Sequence, residues 1–244
     1  MNLALSFKSR IVYLVLCAAV IAIAGMIPFS AIIGERTFFP MSIAIAPLAG
    51  IALGPLAIVA VVFGAFIDLA IAPYTTMVGI FDPLVLGVSA LVAGLLISEK
   101  KSHRIFAFAL GVAGLIMAYV SFIIIHGELV GNVLLIGSTD MIPSIILCLI
   151  TFPYLRVWIR SDNLVRQSWG VFVISYFTIS AVQHSYSWVL FELMQRISIE
   201  EAVWICLHFS WWERLTFAFV ATVIGIIAII GLKRLGWGIE KIQE

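Results

Sequence analysis

Gln183, His184, Ser185, Tyr186, Ser187 and Trp188 form the most polar stretch inside any long apolar run of this sequence. On a helix, Gln183 and Tyr186 are three residues apart and His184 and Trp188 four apart, so polar groups fall on two faces. Such groups hold a solute, line a cavity, or tie helices together by hydrogen bonds. Asp68 closes the run Gly64-Ala65-Phe66-Ile67-Asp68. A carboxyl group inside a membrane helix costs about 3 kcal/mol on insertion scales, which makes it a candidate functional group. The competing reading sends Asp68 to the headgroup level or to the end of a neighbouring helix. Asp82-Pro83 reads more simply as a helix start, with an acidic cap followed by proline in the first turn. His126, His184 and His208, with Glu128 and Glu192, could converge on a metal. No His-x-x-x-His or Glu-x-x-His pair places two such ligands on one helix face, so metal binding is the minor reading. The sequence contains no Gly-x-Ser-x-Gly, no His-Glu-x-x-His and no phosphate-binding loop. Neither an enzyme nor a cofactor is expected.

These few polar groups sit in an overwhelmingly apolar chain. Of 244 residues, 63% are hydrophobic and 11% charged, against about a quarter charged in an average soluble domain. Mean hydropathy is +1.18. Backbone polar groups in lipid must be paired internally, which leaves helices or a closed barrel. The apolar runs are continuous rather than alternating with period two, which selects helices. The chain reads as one all-α, polytopic transmembrane bundle over 1–244, a multi-pass protein of the cell membrane. Cys17, Cys148 and Cys206 all lie in apolar segments and fit neither a metal spacing nor a disulfide framework. A net charge of +1 gives no sign of a nucleic-acid partner.

Helices are expected over 11–33, 41–53, 55–72, 79–98, 105–125, 141–158, 169–193 and 210–232. The first is read as an uncleaved helix, since its apolar stretch runs on without a small-x-small site and polar mature sequence. The apolar run 41–72 is too long for one span. Gly54-Pro55 breaks it into two short helices, as a hairpin or a broken span. Eight segments place both termini in the cytoplasm. Lys8, Arg10, Lys100, Lys101, Arg104, Arg156, Arg160, Arg166, Lys233, Arg234 and Lys241 then fall inside, and only Arg36, Arg196 and Arg214 outside. That is a clear positive-inside bias, and a shift of one helix would scatter it. Of the thirteen acids, six (Glu35, Glu128, Asp140, Glu200, Glu201 and Glu213) fall outside or near the outer boundary, and only Glu99, Asp162, Glu240 and Glu244 are plainly inside. Either the outer loops merely lack basic residues, or an outer cavity prefers a cationic or hydrogen-bond-donating ligand. Trp211 and Trp212 fit the interfacial aromatic belt, and the adjacent Glu213 and Arg214 need not pair.

Small residues recur at helix-packing spacing, at Ala18 and Ala22 and at Gly50 and Gly54. With the stretch Pro47-Leu48-Ala49-Gly50-Ile51-Ala52-Leu53-Gly54-Pro55-Leu56, then Gly64-Ala65-Phe66-Ile67-Asp68, the chain resembles the substrate-binding S-components of energy-coupling-factor (ECF) transporters. Phe81-Asp82-Pro83-Leu84 through Gly94-Leu95-Leu96 to Lys100-Lys101 is similar to their fourth helix, and Ala18-xxx-Ala22 to the alanine motif that docks their first helix. The resemblance covers residues 8–104 best.

The resemblance implies a membrane-embedded subunit of a prokaryotic uptake transporter that binds a vitamin-like solute from the outer side. It implies a membrane-embedded coupling subunit and ATPase subunits as partners, docking at Ala18 and Ala22, and ligand contacts at Glu35, Arg36, Asp68, Tyr74, His126, Gln183 and His184. The chain departs from the family in reading as eight helices where six are usual, so either 141–158 or 210–232 stands for the sixth. Asn2 occupies the place of the histidine used by metal-specific members, which counts against nickel or cobalt. Two other readings remain: a non-catalytic structural subunit of a larger membrane complex, and an intramembrane metal-dependent enzyme built around His184.

Overall fold

The computed structural model describes residues 7–32, 39–76, 78–126, 139–194, 204 and 206–234. Every regular element among them is helical, and the one β contact is an isolated antiparallel bridge between Pro28 and Pro40. The α-helices are α1 (Phe7–Gly25), α2 (Phe29–Ile32), α3 (Ser42–Leu53), α4 (Ala57–Ile71), α5 (Asp82–Leu96), α6 (Lys101–His126), α7 (Met141–Thr151), α8 (Leu155–Arg160), α9 (Leu164–Phe177), α10 (Ser185–Leu193) and α11 (Trp211–Arg234). A π-helical segment, Thr178–His184, joins α9 to α10. By length and composition, four stretches among the described residues suit a membrane crossing: Ser42–Ile71, Gly79–Leu96, Lys101–Ile125 and His208–Gly231.

The packing inverts what water would select. On α1 the outward residues include Val12, Val15, Leu16, Val20 and Ile23, while Ala18, Ile21, Ala22 and Gly25 face in. On α4, Val59, Phe63, Phe66 and Ile71 point out, while Ala57, Ala60, Gly64 and Ala65 point in. Large aliphatic groups gain nothing from burial when the surrounding medium is equally apolar. Close approach of helices then depends on small inward residues. Gly64 shows this: a Cβ there would run into the backbone carbonyl of Ala18.

Ser42–Ile71 is continuous in hydropathy but not in backbone direction. Gly54 has φ +70° and ψ −160°, a conformation that suits glycine, and Pro55 follows it in a short 3-10 turn. Ile43 near the start of α3 and Asp68 near the end of α4 line the same cleft, so the chain doubles back at Gly54. The expected break is therefore a hairpin. α5 runs back down beside both arms, its Gly94 seated directly on the Gly54-Pro55 turn and its Ala90 against Gly50.

Several extents differ from those expected. The helix expected over 11–33 ends at Gly25, and after a break at Met26–Pro28 a separate short helix, α2, follows. The 141–158 helix is divided at Phe152–Tyr154, around Pro153, into α7 and α8. The helix expected from 169 begins at Leu164, because the Asn163 side chain accepts hydrogen bonds from the N–H groups of Val165 (3.0 Å) and Arg166 (3.2 Å). The helix expected from 105 begins at Lys101. At one end of the bundle, Glu99 Oε1 accepts from Arg156 Nη2 at 3.0 Å, with Arg160 Nη1 at 3.7 Å, so two of the basic turns come together. At the opposite end Phe29 packs on Phe217, ring centroids 5.1 Å apart.

Candidate ligand cleft

At that second end a cleft opens between α3, α4, α5, the π segment and α11. Phe39, Pro40, Ile43, Ala65, Val85 and Leu86 supply apolar walls. Asp68, Thr75, Thr76, Asp82, Gln183, His184, Ser187 and Arg214 supply polar groups. The interior is small, about 30 Å³, room for a few atoms rather than a vitamin-sized molecule.

The π segment carries two of these groups. Its ends are marked by hydroxyls bonded back to the preceding turn: Thr178 to the Ile174 carbonyl (2.8 Å) and Ser185 to the Ala181 carbonyl (2.6 Å). Such back-bonding competes with the regular helical ladder, and π turns recur at functional sites. Gln183 Nε2 donates to the Ile43 carbonyl (3.1 Å) and to Ser89 Oγ (2.7 Å), joining α3 and α5 to the π segment. His184 Nδ1 lies 2.8 Å from Asp140 Oδ2, both side chains being buried, and its ring stands edge-on to Trp188. Nδ1 is committed to the carboxylate, which leaves Nε2 for the cleft.

Asp68 is 3% exposed and its Oδ1 has no hydrogen-bond partner. It packs against Gly25, where any Cβ would collide with the carboxyl group. The headgroup reading of Asp68 does not hold, because the side chain is turned into the bundle. Asp82 opens α5 as expected, but its Oδ2 accepts from Val78 N (3.1 Å) in the preceding loop, and Phe81 is the capping position. Glu213 and Arg214 do pair, at 3.5 Å, correcting the expectation that they need not. Both are buried, with Ser30 Oγ donating to Glu213 Oε1 (2.6 Å) and the Arg214 guanidinium lying 4.7 Å over the Phe39 ring.

Of the residues singled out from sequence, the cleft brings together Asp68, Gln183 and His184. Tyr74 stands outside it, 61% exposed, its hydroxyl donating to the Met26 carbonyl (3.3 Å). Glu35 and Arg36 lie outside the described residues, as does the His126 side chain. Ala18 and Ala22 are buried in the chain's own interior, Ala18 against Gly64 of α4. His208 is exposed, stacked on Trp204 and bonded to its carbonyl (2.9 Å). No three His, Cys, Asp or Glu among the described residues gather as metal ligands. Sequence reasoning missed Ser89, Arg214 and the Asp140–His184 pair. Asp140 figures in the sequence only among the outward-leaning acids, a lone acid beside an apolar helix.

Among the described residues, an all-helical architecture with four stretches long and apolar enough to cross a bilayer, and aliphatic side chains turned outward, has the make-up of a helical membrane protein. No family model matches the chain, and neither do any curated protein or solved structure.

Proposed function

We propose that the chain crosses the membrane eight times with both termini in the cytoplasm, and that it binds a small solute from the outer side as the substrate-binding subunit of a prokaryotic uptake transporter. The supporting observation is the cleft. It draws polar side chains from α4, α5, the π segment and α11, and lies at the end opposite the Glu99–Arg156–Arg160 cluster. The positive-inside rule assigns that basic cluster to the cytoplasm, so the cleft opens outward. The contacts of Gly64 with Ala18 and of Gly25 with Asp68 support α1 and α4 running the same way, and those of Gly94 with Gly54 and Gly87 with Val62 support α5 running against α4.

Ligand sites for drug-sized molecules occupy roughly 300–1,000 Å³, so this cleft must widen to admit a vitamin-like solute. A coupling subunit and ATPase subunits would supply the energy. Docking through Ala18 and Ala22 would require α1 and α4 to part, since both alanines are buried between them or beside them. The small interior is the observation that favours the second reading, a close-packed structural subunit.

Small molecules co-purifying with the full chain, extracted and identified by mass spectrometry, separate the two. One solute in near-stoichiometric amount is expected from the parent, and its loss from Ser187→Phe, which fills the cleft at a half-buried position. Absence of any solute from the parent, or equal retention by Ser187→Phe, overturns the proposal.

A further inference from the structure

We infer that the cleft selects a solute bearing a primary ammonium group, held by Asp68 Oδ1 and Gln183 Oε1. This inference rests on the solute-binding reading and deepens it. The Gln183 amide has its orientation fixed by its partners. Its nitrogen faces the Ile43 carbonyl, which only accepts, and the turned amide would set oxygen against oxygen. The second bond, to Ser89 Oγ, uses the remaining N–H. Gln183 Oε1 is thereby left buried and without a partner, as is Asp68 Oδ1. Gln183 is 4% exposed and Asp68 3%. Leaving a buried acceptor unmade costs about 1–3 kcal/mol, and more for a charged one. A site with two such atoms is complete only when something donates to both.

The other lining groups do not meet that need. The hydroxyls of Thr75 and Thr76 donate to the Ala72 and Pro73 carbonyls, both at 2.8 Å. His184 Nδ1 is taken by Asp140. The Arg214 charge is balanced by Glu213 and spread over the Phe39 ring, while its buried Nε–H has no partner. The unpaired buried atoms among the described lining residues are therefore two acceptors, Asp68 Oδ1 and Gln183 Oε1, and one donor, Arg214 Nε. A primary ammonium carries three donors, no acceptor and one positive charge, matching one carboxylate and one amide oxygen. A head of that size suits an interior of about 30 Å³, and Ile43, Val85 and Leu86 would meet its carbon chain. A bare hard cation such as calcium takes about 6–8 oxygens, far more than the two free here.

The test is equilibrium binding of radiolabelled methylammonium to the full chain in lipid nanodiscs. Saturable binding is expected, displaced by unlabelled methylammonium but not by equal sodium chloride or methanol. Asp68→Asn keeps the side-chain shape and removes the charge. It should weaken binding by about tenfold or more, the loss of one charge-assisted hydrogen bond, while melting no earlier than the parent. Glu99→Gln, at the far end, should bind as the parent does. Equal binding by Asp68→Asn, displacement by sodium, or no saturable binding to the parent overturns the inference. If a solute co-purifies but lacks an ammonium group, the ammonium inference fails and the transport reading stands. If no solute co-purifies and methylammonium does not bind, both fail.

Discussion

Replacing Gly94 by alanine tests the hairpin on which the cleft depends. A methyl carbon at Gly94 would stand 2.6 Å from Pro55 N and 2.7 Å from Gly54 O, and closer still to the Gly54 carbonyl carbon. All three are backbone atoms of the turn, so no side chain can rotate away. Ordinary carbon contacts lie at about 3.5–4.0 Å, so α5 must retreat by about 1 Å. Overpacking of this kind costs about 1–3 kcal/mol, and rigid backbone neighbours put it at the upper end. Alanine returns up to about 1 kcal/mol through helix propensity. The net loss is about 2 kcal/mol, which lowers the melting temperature by about 4–8 °C at this chain length. Gly231→Ala is the matched control, since nothing lies within 4 Å of a Cβ there. It should melt as the parent does or slightly higher. The assay is a thermal ramp in mild detergent with a thiol-reactive dye, which reports when the fully buried Cys148 becomes accessible. A Gly94→Ala protein as stable as the parent, or Gly231→Ala equally damaged, refutes the turn–helix contact.

Two carboxylate sites, one buried and one exposed, should respond to different degrees in the same assay. Asp140→Ala leaves His184 Nδ1 buried without its carboxylate and should cost about 1–3 kcal/mol, seen as a drop in melting temperature of several degrees. Glu99→Gln breaks the contacts to Arg156 and Arg160, but Glu99 is 66% exposed, so the loss should stay below about 1 kcal/mol and be reduced further by salt.

Much of the backbone was legible. The Gly54-Pro55 reversal shows itself because a positive φ and a proline at the start of the next turn are both written in residue type. The start of α9 was missed because Ser161, Asp162 and Asn163 all resemble caps, and the residues after them are too polar to look like helix. The π segment has no propensity signature. It is visible only afterwards, through the hydroxyls of Thr178 and Ser185 at its ends. Pairings such as Ser30–Glu213, 183 residues apart, and Asp140–His184, 44 apart, follow from how the helices assemble. Nothing local encodes them.

The inward face of each helix was the harder matter, and here the medium explains the difficulty. In water, an apolar stripe marks the buried side of a helix. In lipid both sides are apolar, so hydropathy carries no direction, and residue size must be read instead. The buried positions of α4 are Ala57, Ala60, Val61, Gly64, Ala65 and Asp68. Each lies three or four residues from another of the set, one unbroken helical stripe of mostly small side chains with a carboxylate at its end. By residue size, that stripe turns Asp68 inward and decides against the headgroup reading. The same rule applied to α1 joins Ala18, Ile21, Ala22 and Gly25, and it places Gly25 where the Asp68 carboxylate needs room. The glycine and the carboxylate are one device: a residue with any side chain at 25 would displace the Asp68 carboxyl group.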